Sequence, residues 1–218
     1  MFFKILKTII KLFLKKGSIR SFSQFGEDVV LAPLLRKKNG LYVDVGAFHP
    51  TQYSNTYFLY HRGWRGIVID PNKEAQLLFK IFRPRDKFYS VGIGEKESNE
   101  KYFHFTDSAY NTTNEAQAHV WQSQGILLQK TEMVTLCPLS KILIQENIKE
   151  IDVLSIDAEG SDMQVLWSHN WNIPTHVIVI EDHIFNIERP QESAIYSFLY
   201  TKGFTLYSVC GPSLIFKK

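Results

Sequence analysis

The sequence predicts an α/β fold: a mostly parallel sheet with helices on both faces and an antiparallel hairpin at the C-terminal end. Three observations carry this. From residue 41 onward, short apolar, β-branched runs alternate with helical stretches, as in sheets buried on both faces. Acids cluster at the carboxyl ends of these runs, among them Asp44, Asp70, Asp157 and Glu181. Gly211-Pro212 divides the last apolar stretch in two, the signature of a turn.

The elements follow in order. Residues 41–46 (LYVDVG), 66–70 (GIVID) and 87–94 (KFYSVGIG) read as the first three strands. Residues 101–105 alternate apolar and polar, and read as antiparallel or peripheral. Residues 132–136 form a strand candidate, followed by a helix near 138–146. Residues 151–157 (IDVLSID) and 176–182 (HVIVIED) are two more buried runs. Residues 203–209 and 213–216 close the chain as the hairpin. Helices are expected at 73–82, 160–169 and 189–202. Residues 106–130 are polar and read as one long irregular loop, a feature that is usually functional in a compact domain.

With 218 residues, 44% hydrophobic and 22% charged, the chain has the composition of an ordinary globular domain. Neither disorder nor a coiled coil fits. A chain of this length buries roughly two-thirds or more of its unfolded surface, so it needs no disulfide or metal to hold a core. Two cysteines, Cys137 and Cys210, make no disulfide framework: they suit a reducing compartment or merely permit one bridge.

The net charge of +3 is unevenly placed. Lys4, Lys7, Lys11, Lys15, Lys16 and Arg20 stand in the first 20 residues without a single acid, so the rest of the chain is net acidic. A nucleic-acid-binding body would carry its own basic face, and none is expected here. The sequence therefore divides into an arm, residues 1–17, and a domain, residues 18–218.

In the arm, Lys4, Lys7, Lys11 and Lys15 fall on one helical arc, and Phe and aliphatic residues fill the remainder. Lysines interrupt it too often for a transmembrane helix or a signal peptide. A basic amphipathic helix in a membrane interface fits, each Lys near an anionic surface adding about 1 kcal/mol. Docking on the domain or on a partner chain is the alternative. The expected location is cytoplasmic, with residues 1–16 placing the protein at the inner membrane face.

Ligands of open α/β sheets sit outside the carboxyl ends of the strands. The first strand ends in Asp44-Val45-Gly46-Ala47, the second in Asp70. An acid at the end of the second strand is placed to accept ribose hydroxyls, so an adenosine-like ligand is expected. A dinucleotide needs several glycines around its pyrophosphate, whereas only Gly46 is present. S-adenosylmethionine carries no phosphate, and Asp44, Gly46 and Asp70 suit it better.

The fourth buried strand ends in Ser155-Ile156-Asp157-Ala158-Glu159-Gly160, the fifth in Glu181-Asp182-His183. Asp157 reads either as a reactive acid or as a helix N-cap, with Glu159 at the positive end of that helix. These carboxylates suit a divalent cation, the methionine amino group, or proton abstraction from a hydroxyl. His183 suits a general base near neutral pH. Lys80, Arg83, Arg85 and Lys87 form a basic run that either meets an anionic acceptor or is a solvated helix end.

Four blocks together resemble the FkbM-type methyltransferase family. They are Ser23-Gln24-Phe25-Gly26-Glu27-Asp28; Tyr42-Val43-Asp44-Val45-Gly46-Ala47 with His49-Pro50 and Ser54-Asn55-Thr56; Gly63-Trp64-Arg65-Gly66-Ile67 leading to Asp70-Pro71-Asn72; and Ile156-Asp157-Ala158-Glu159-Gly160. The resemblance runs from about residue 22 to the C-terminus. Asp70 stands where many relatives have Glu, and Ala158 where Val is common.

The resemblance implies a Rossmann-like class I methyltransferase sheet and S-adenosylmethionine as cofactor, with O-methylation of a hydroxyl on a saccharide or glycolipid-type acceptor. It assigns Asp44, Gly46, Ala47, Asp70, Pro71 and Asn72 to the cofactor. Gln24 and Glu27 would cover it, Asn55 and Thr56 would line the same pocket, and Asp157 would touch it while facing the methyl-transfer centre. Asp157, Glu159 and His183 are the catalytic candidates, Asp157 the first choice of base. Residues 106–130, with Trp121 and several amides, would contact the acceptor. Two other readings stay open: a nicotinamide-dependent sugar oxidoreductase, and a catalytically inactive scaffold at a membrane.

Overall fold

Buried β-branched runs pair side by side when both of their faces are covered, and the chain does this with seven strands. The structure, a computed structural model, describes residues 19–218; the arm at 1–17 lies outside the described residues. The main sheet holds β1 (Leu41–Val45), β2 (Arg65–Ile69), β3 (Lys87–Tyr89), β7 (Ile151–Ile156), β8 (Thr175–Glu181), β9 (Thr205–Cys210) and β10 (Ser213–Lys217). Its order is β3-β2-β1-β7-β8-β10-β9. Strands β3 to β8 pair in parallel, and β10 runs antiparallel to both of its neighbours. The expected hairpin is there, Cys210 pairing with Ser213 across Gly211-Pro212.

Alternate residues of each strand serve opposite faces. On one face Val43, Val45, Ile67, Ile69, Ile178 and Ile180 meet α5 (Leu139–Gln145), α6 (Asp162–Ser168) and α7 (Ala194–Thr201). On the other, Tyr42, Val68, Val153 and Val179 meet α1 (Glu27–Leu31), α2 (Tyr57–His61) and α3 (Lys73–Phe82). Helix, sheet and helix therefore form three layers, as expected. Among the described residues, no helix is long and apolar enough to cross a membrane.

Several boundaries differ from the sequence expectation. Residues 87–94 are not one strand: β3 ends at Tyr89, and β4 (Gly92–Ile93) joins a second sheet. That sheet, ordered β4-β6-β5, contains β5 (Ser98–Phe105) and β6 (Leu128–Cys137). The expected loop at 106–130 is largely structured. It holds a 3₁₀ turn at Ser108–Tyr110, α4 (Glu115–Ser123) and the first residues of β6. Asn114 caps α4 by accepting the Gln117 N–H, and Phe103, Phe105 and Ala118 form a small core beneath it. The helix expected at 189–202 begins only at Ala194, after a 3₁₀ turn at Pro190–Glu192. Helices α1 and α2 were not foreseen.

The two arginines of the basic run at 80–87 are engaged within the fold, while Lys80 stays exposed on α3. Arg83 is fully buried, donating to Asp86 at 2.6 Å. Arg85 donates to the Tyr60 carbonyl, and Lys87 pairs with Glu146.

Candidate active site

The strand ends build one cavity of about 520 Å³. Gly46, Asp70, Pro71 and Asn72 line it from the β1–β2 edge. Asp157, Glu159 and His183 line it from the ends of β7 and β8, and Gln24 and Phe25 line it from the N-terminal block. Of the residues expected at the cofactor, Glu27, Asp44, Ala47, Asn55 and Thr56 are not among those lining the cavity.

The displaced residues have partners elsewhere. Asp44 is buried, accepts the Thr56 hydroxyl, and lies 4.0 Å from the Arg83 guanidinium. Asn55 donates to Ser155 Oγ at 3.4 Å. Glu27 accepts the Phe25 N–H at 2.8 Å and the Ser213 hydroxyl at 2.8 Å, so it ties the N-terminal block to β10. Ala47 packs with the α1–α3 core. These groups hold the cavity's framework: buried polar atoms need partners, and theirs are protein atoms.

Asp70 is buried yet lines the cavity. One carboxylate oxygen accepts the Phe48 N–H at 2.9 Å, the other the Asn72 N–H at 2.7 Å. Burial pushes its carboxyl up to about 6, and the two N–H bonds restrain the rise. Asn72 also caps α3 through the Glu74 N–H. Gly46 has φ 75°, and its amide donates to the Ile69 carbonyl at 2.9 Å. A β-carbon there would lie 1.7 Å from the Asp157 carbonyl oxygen.

The second half of the cavity is acidic. Burial and the neighbouring Glu181 and Glu159 push the Asp157 carboxyl well above its ordinary value. Burial with Glu181 and Asp162 pushes Glu159 to about 8. Asp157 is not the helix cap: α6 begins at Asp162, with Ser161 at its N-cap. Asp162 instead accepts the Ala158 N–H at 2.9 Å and the Gly160 N–H at 3.2 Å. The segment that leads into α4 holds the same loop from outside, Thr112 donating to the Glu159 carbonyl and Asn114 to the Gly160 carbonyl, both at 2.8 Å. Together they fix Glu159 at φ 45°, a backbone state that L residues rarely adopt. His183 Nε2 lies 3.1 Å from Glu181 Oε2, and that carboxylate raises the imidazole above its ordinary value.

The small sheet, the 3₁₀ turn and α4 with its C-cap supply further lining, including Tyr102, Tyr110, Asn111, Trp121 and Gln124. Trp121 and the amides were foreseen in this segment; Tyr102 and Phe48 were not, nor was Asp162, which holds the loop rather than lining the cavity. The recurrence of Asp after Asp157-Ala-Glu-Gly-Ser was the available signal for Asp162. Among the described residues, one group has metal-ligand spacing, Glu150 with Asp152 and His176. It lies at the other end of β7 and β8, and Lys37 Nζ already pairs with both acids.

The sheet order and the strand-end cavity are those of a class I methyltransferase. The methyltransferase FkbM domain matches residues 44–206, and the chain belongs to the FkbM family of methyltransferases. No curated protein matches the sequence significantly. Among solved structures, the chain is similar to methyltransferase FkbM from Methylobacillus flagellatus KT, with a TM-score of 0.50 and 12% identity. The match covers 90% of this chain and 48% of that one, so the chain spans about half the length of that protein. A TehB-like SAM-dependent methyltransferase from Corynebacterium glutamicum is also similar, with a TM-score of 0.43, 12% identity, and coverage of 99% and 96%.

Proposed function

We propose that the protein is an S-adenosylmethionine-dependent O-methyltransferase acting on a saccharide hydroxyl. Asp70 carries the reading. Its buried carboxylate spends one lone pair of each oxygen on a backbone N–H and keeps others for ribose hydroxyls. The cavity volume is within the usual range for a ligand of this size. Gly46 is the glycine at the turn after β1, where a dinucleotide site would need several, which favours a phosphate-free adenosine ligand. The bound cofactor supplies a methyl group activated on sulfonium sulfur.

The chain's own residues must then orient a hydroxyl and take its proton. Trp121 and Tyr110 offer ring faces to a sugar, and Asn111 and Gln124 offer amides to its hydroxyls. Burial and the neighbouring Glu181 and Glu159 raise the Asp157 carboxyl well above its ordinary value, which disfavours the carboxylate form that would take the proton. His183, held by Glu181, takes precedence as the base. His183→Asn should lower turnover about 10²–10⁴-fold and leave cofactor affinity nearly unchanged. Turnover that survives this change but is lost in Asp157→Asn returns the role to Asp157.

Titration calorimetry tests the cofactor. S-adenosylmethionine and S-adenosylhomocysteine should both bind, and Asp70→Ala should weaken both about tenfold or more, because a hydrogen bond to a charged group contributes about 1.5–3 kcal/mol. A cationic ligand favours the ionised forms of Asp157 and Glu159, whose carboxyls burial and neighbouring acids raise, Glu159 to about 8. Affinity for S-adenosylmethionine should therefore rise with pH toward about 8, the value for Glu159, with protons released on binding. S-adenosylhomocysteine lacks the sulfonium charge and should release fewer. Folded protein that binds neither compound overturns the reading.

A further inference from the structure

We infer that the mouth of the cavity rests on an anionic membrane surface, so that the acceptor is a saccharide carried on a lipid. The docking geometry stands on its own; the statement about the acceptor rests on the methyltransferase reading above.

The rim of the cavity is apolar and exposed. Phe25 is 45% exposed and Tyr53 62%, and both line the mouth. Ile184, 87% exposed, directly follows His183, and Ile187 in the same loop is 71% exposed. Single exposed apolar side chains are ordinary; two that line the cavity, with two more in the loop that follows His183, mark an interaction surface. Hydrogen bonds join these segments. The Phe22 carbonyl accepts the Ser54 N–H at 3.0 Å, beside Tyr53, and the Pro212 carbonyl accepts the Asp182 N–H at 2.9 Å. Asp182 Oδ1 accepts the Ile184 N–H at 3.2 Å. Phe25 rests on the hairpin turn, where a β-carbon on Gly211 would meet its ring at 2.7 Å. These contacts tie together the segments that carry the exposed side chains.

The chain outside the described residues identifies the occupant. Residues 1–18 precede Ile19, itself 75% exposed. Their sequence alternates Phe, Ile and Leu with lysines and contains no acid, the composition of an interfacial anchor for anionic lipid. Gln24, at the cavity, is six residues beyond Ser18. Six residues span at most about 20 Å. An arm lying in a headgroup layer therefore holds the mouth within that distance of it. A free sugar needs no such placement; a saccharide on a lipid does.

Vesicles of phosphatidylglycerol and phosphatidylcholine test this with the full chain. An environment-sensitive dye is placed by Ile184→Cys at the rim, or by Asn39→Cys just before β1, at the opposite end of the strands; the native cysteines are buried. Vesicles should blue-shift the dye at 184 and leave the dye at 39 unchanged. The Ile184→Asp/Ile187→Asp double variant should partition onto vesicles about tenfold or more weakly. Absence of binding, or an equal shift at both positions, overturns the inference. So does a dye at 184 already shielded from iodide before vesicles are added, because the arm would then cover the rim itself. S-adenosylhomocysteine titrated into the same samples separates a failure of docking from a failure of the methyltransferase reading.

Discussion

Replacing Arg83 with Met should destabilise the protein by about 3–5 kcal/mol, the usual cost of leaving a buried charge without its partner. The guanidinium is fully buried and nearly saturated. Nε donates to Asp86 at 2.6 Å, Nη1 to the Pro50 carbonyl at 3.4 Å and Ser54 Oγ at 3.3 Å, and Nη2 to Thr56 Oγ1 at 3.0 Å. The rings of Tyr42, Tyr60 and Phe79 lie 5.2, 5.6 and 4.9 Å away. Asp86 also accepts the Tyr42 hydroxyl at 2.7 Å and the Gly66 N–H at 2.9 Å. Methionine would fill much of the volume but leave Asp86 and Asp44 facing apolar rings. Domains are stable by about 5–15 kcal/mol, so a large fraction of the total is at stake. Urea unfolding measures the change, and Asp86→Asn added to the variant should recover part of it through their coupling. A loss below about 1 kcal/mol, the ordinary surface range, would mean that the network does not hold these carboxylates.

Gly46→Ala should abolish measurable binding of S-adenosylmethionine and also lower stability. The β-carbon would sit 1.7 Å from the Asp157 carbonyl oxygen, a backbone atom that cannot swing aside. The amide of Asp157 is itself fixed by the Val45 carbonyl at 2.9 Å. Strands β1 and β7 would have to part at the ends that line the cavity. Overpacking costs about 1–3 kcal/mol, and a non-glycine residue at positive φ adds about 1–3. Calorimetry and urea unfolding read the two effects separately. Wild-type affinity in a folded variant would show that the β1–β7 junction is not part of the cofactor floor.

The central strands were legible because strands buried on both faces are short, continuous and β-branched. Residues 41–46, 66–70, 151–157 and 176–182 differ from β1, β2, β7 and β8 by a residue or so at each end. The run 87–94 misled because Ser90 and Val91 sit between two strands that pair with different sheets. Helix α4 was hidden by its polarity: of its nine residues only Ala118 is buried. At the site, the sequence told which acids stand at strand ends but not what each one faces. Asp70 faces the cavity, whereas Asp44 faces Thr56 and Arg83. Arg83 itself read as part of a basic run, since charge alone does not reveal burial. Asp162 escaped because its task, two hydrogen bonds to the loop before it, leaves no periodic trace.

The small β4-β6-β5 sheet enters the chain between β3 and β7 and carries a core of its own, Phe103, Phe105 and Ala118. Substitutions at well-separated sites without shared partners act nearly independently. Tyr110, Trp121 and Gln124 stand on this separate unit, so their exchange should leave the Asp70 and Gly46 hydrogen bonds in place. On the proposed assignment, such a division would let acceptor preference diverge in evolution, or be transplanted between relatives, while the cofactor half is inherited unchanged. Its limit is the clamp from Thr112 and Asn114 onto Glu159 and Gly160: a grafted insert that lacks those two donors would carry its new preference to a slackened reaction centre.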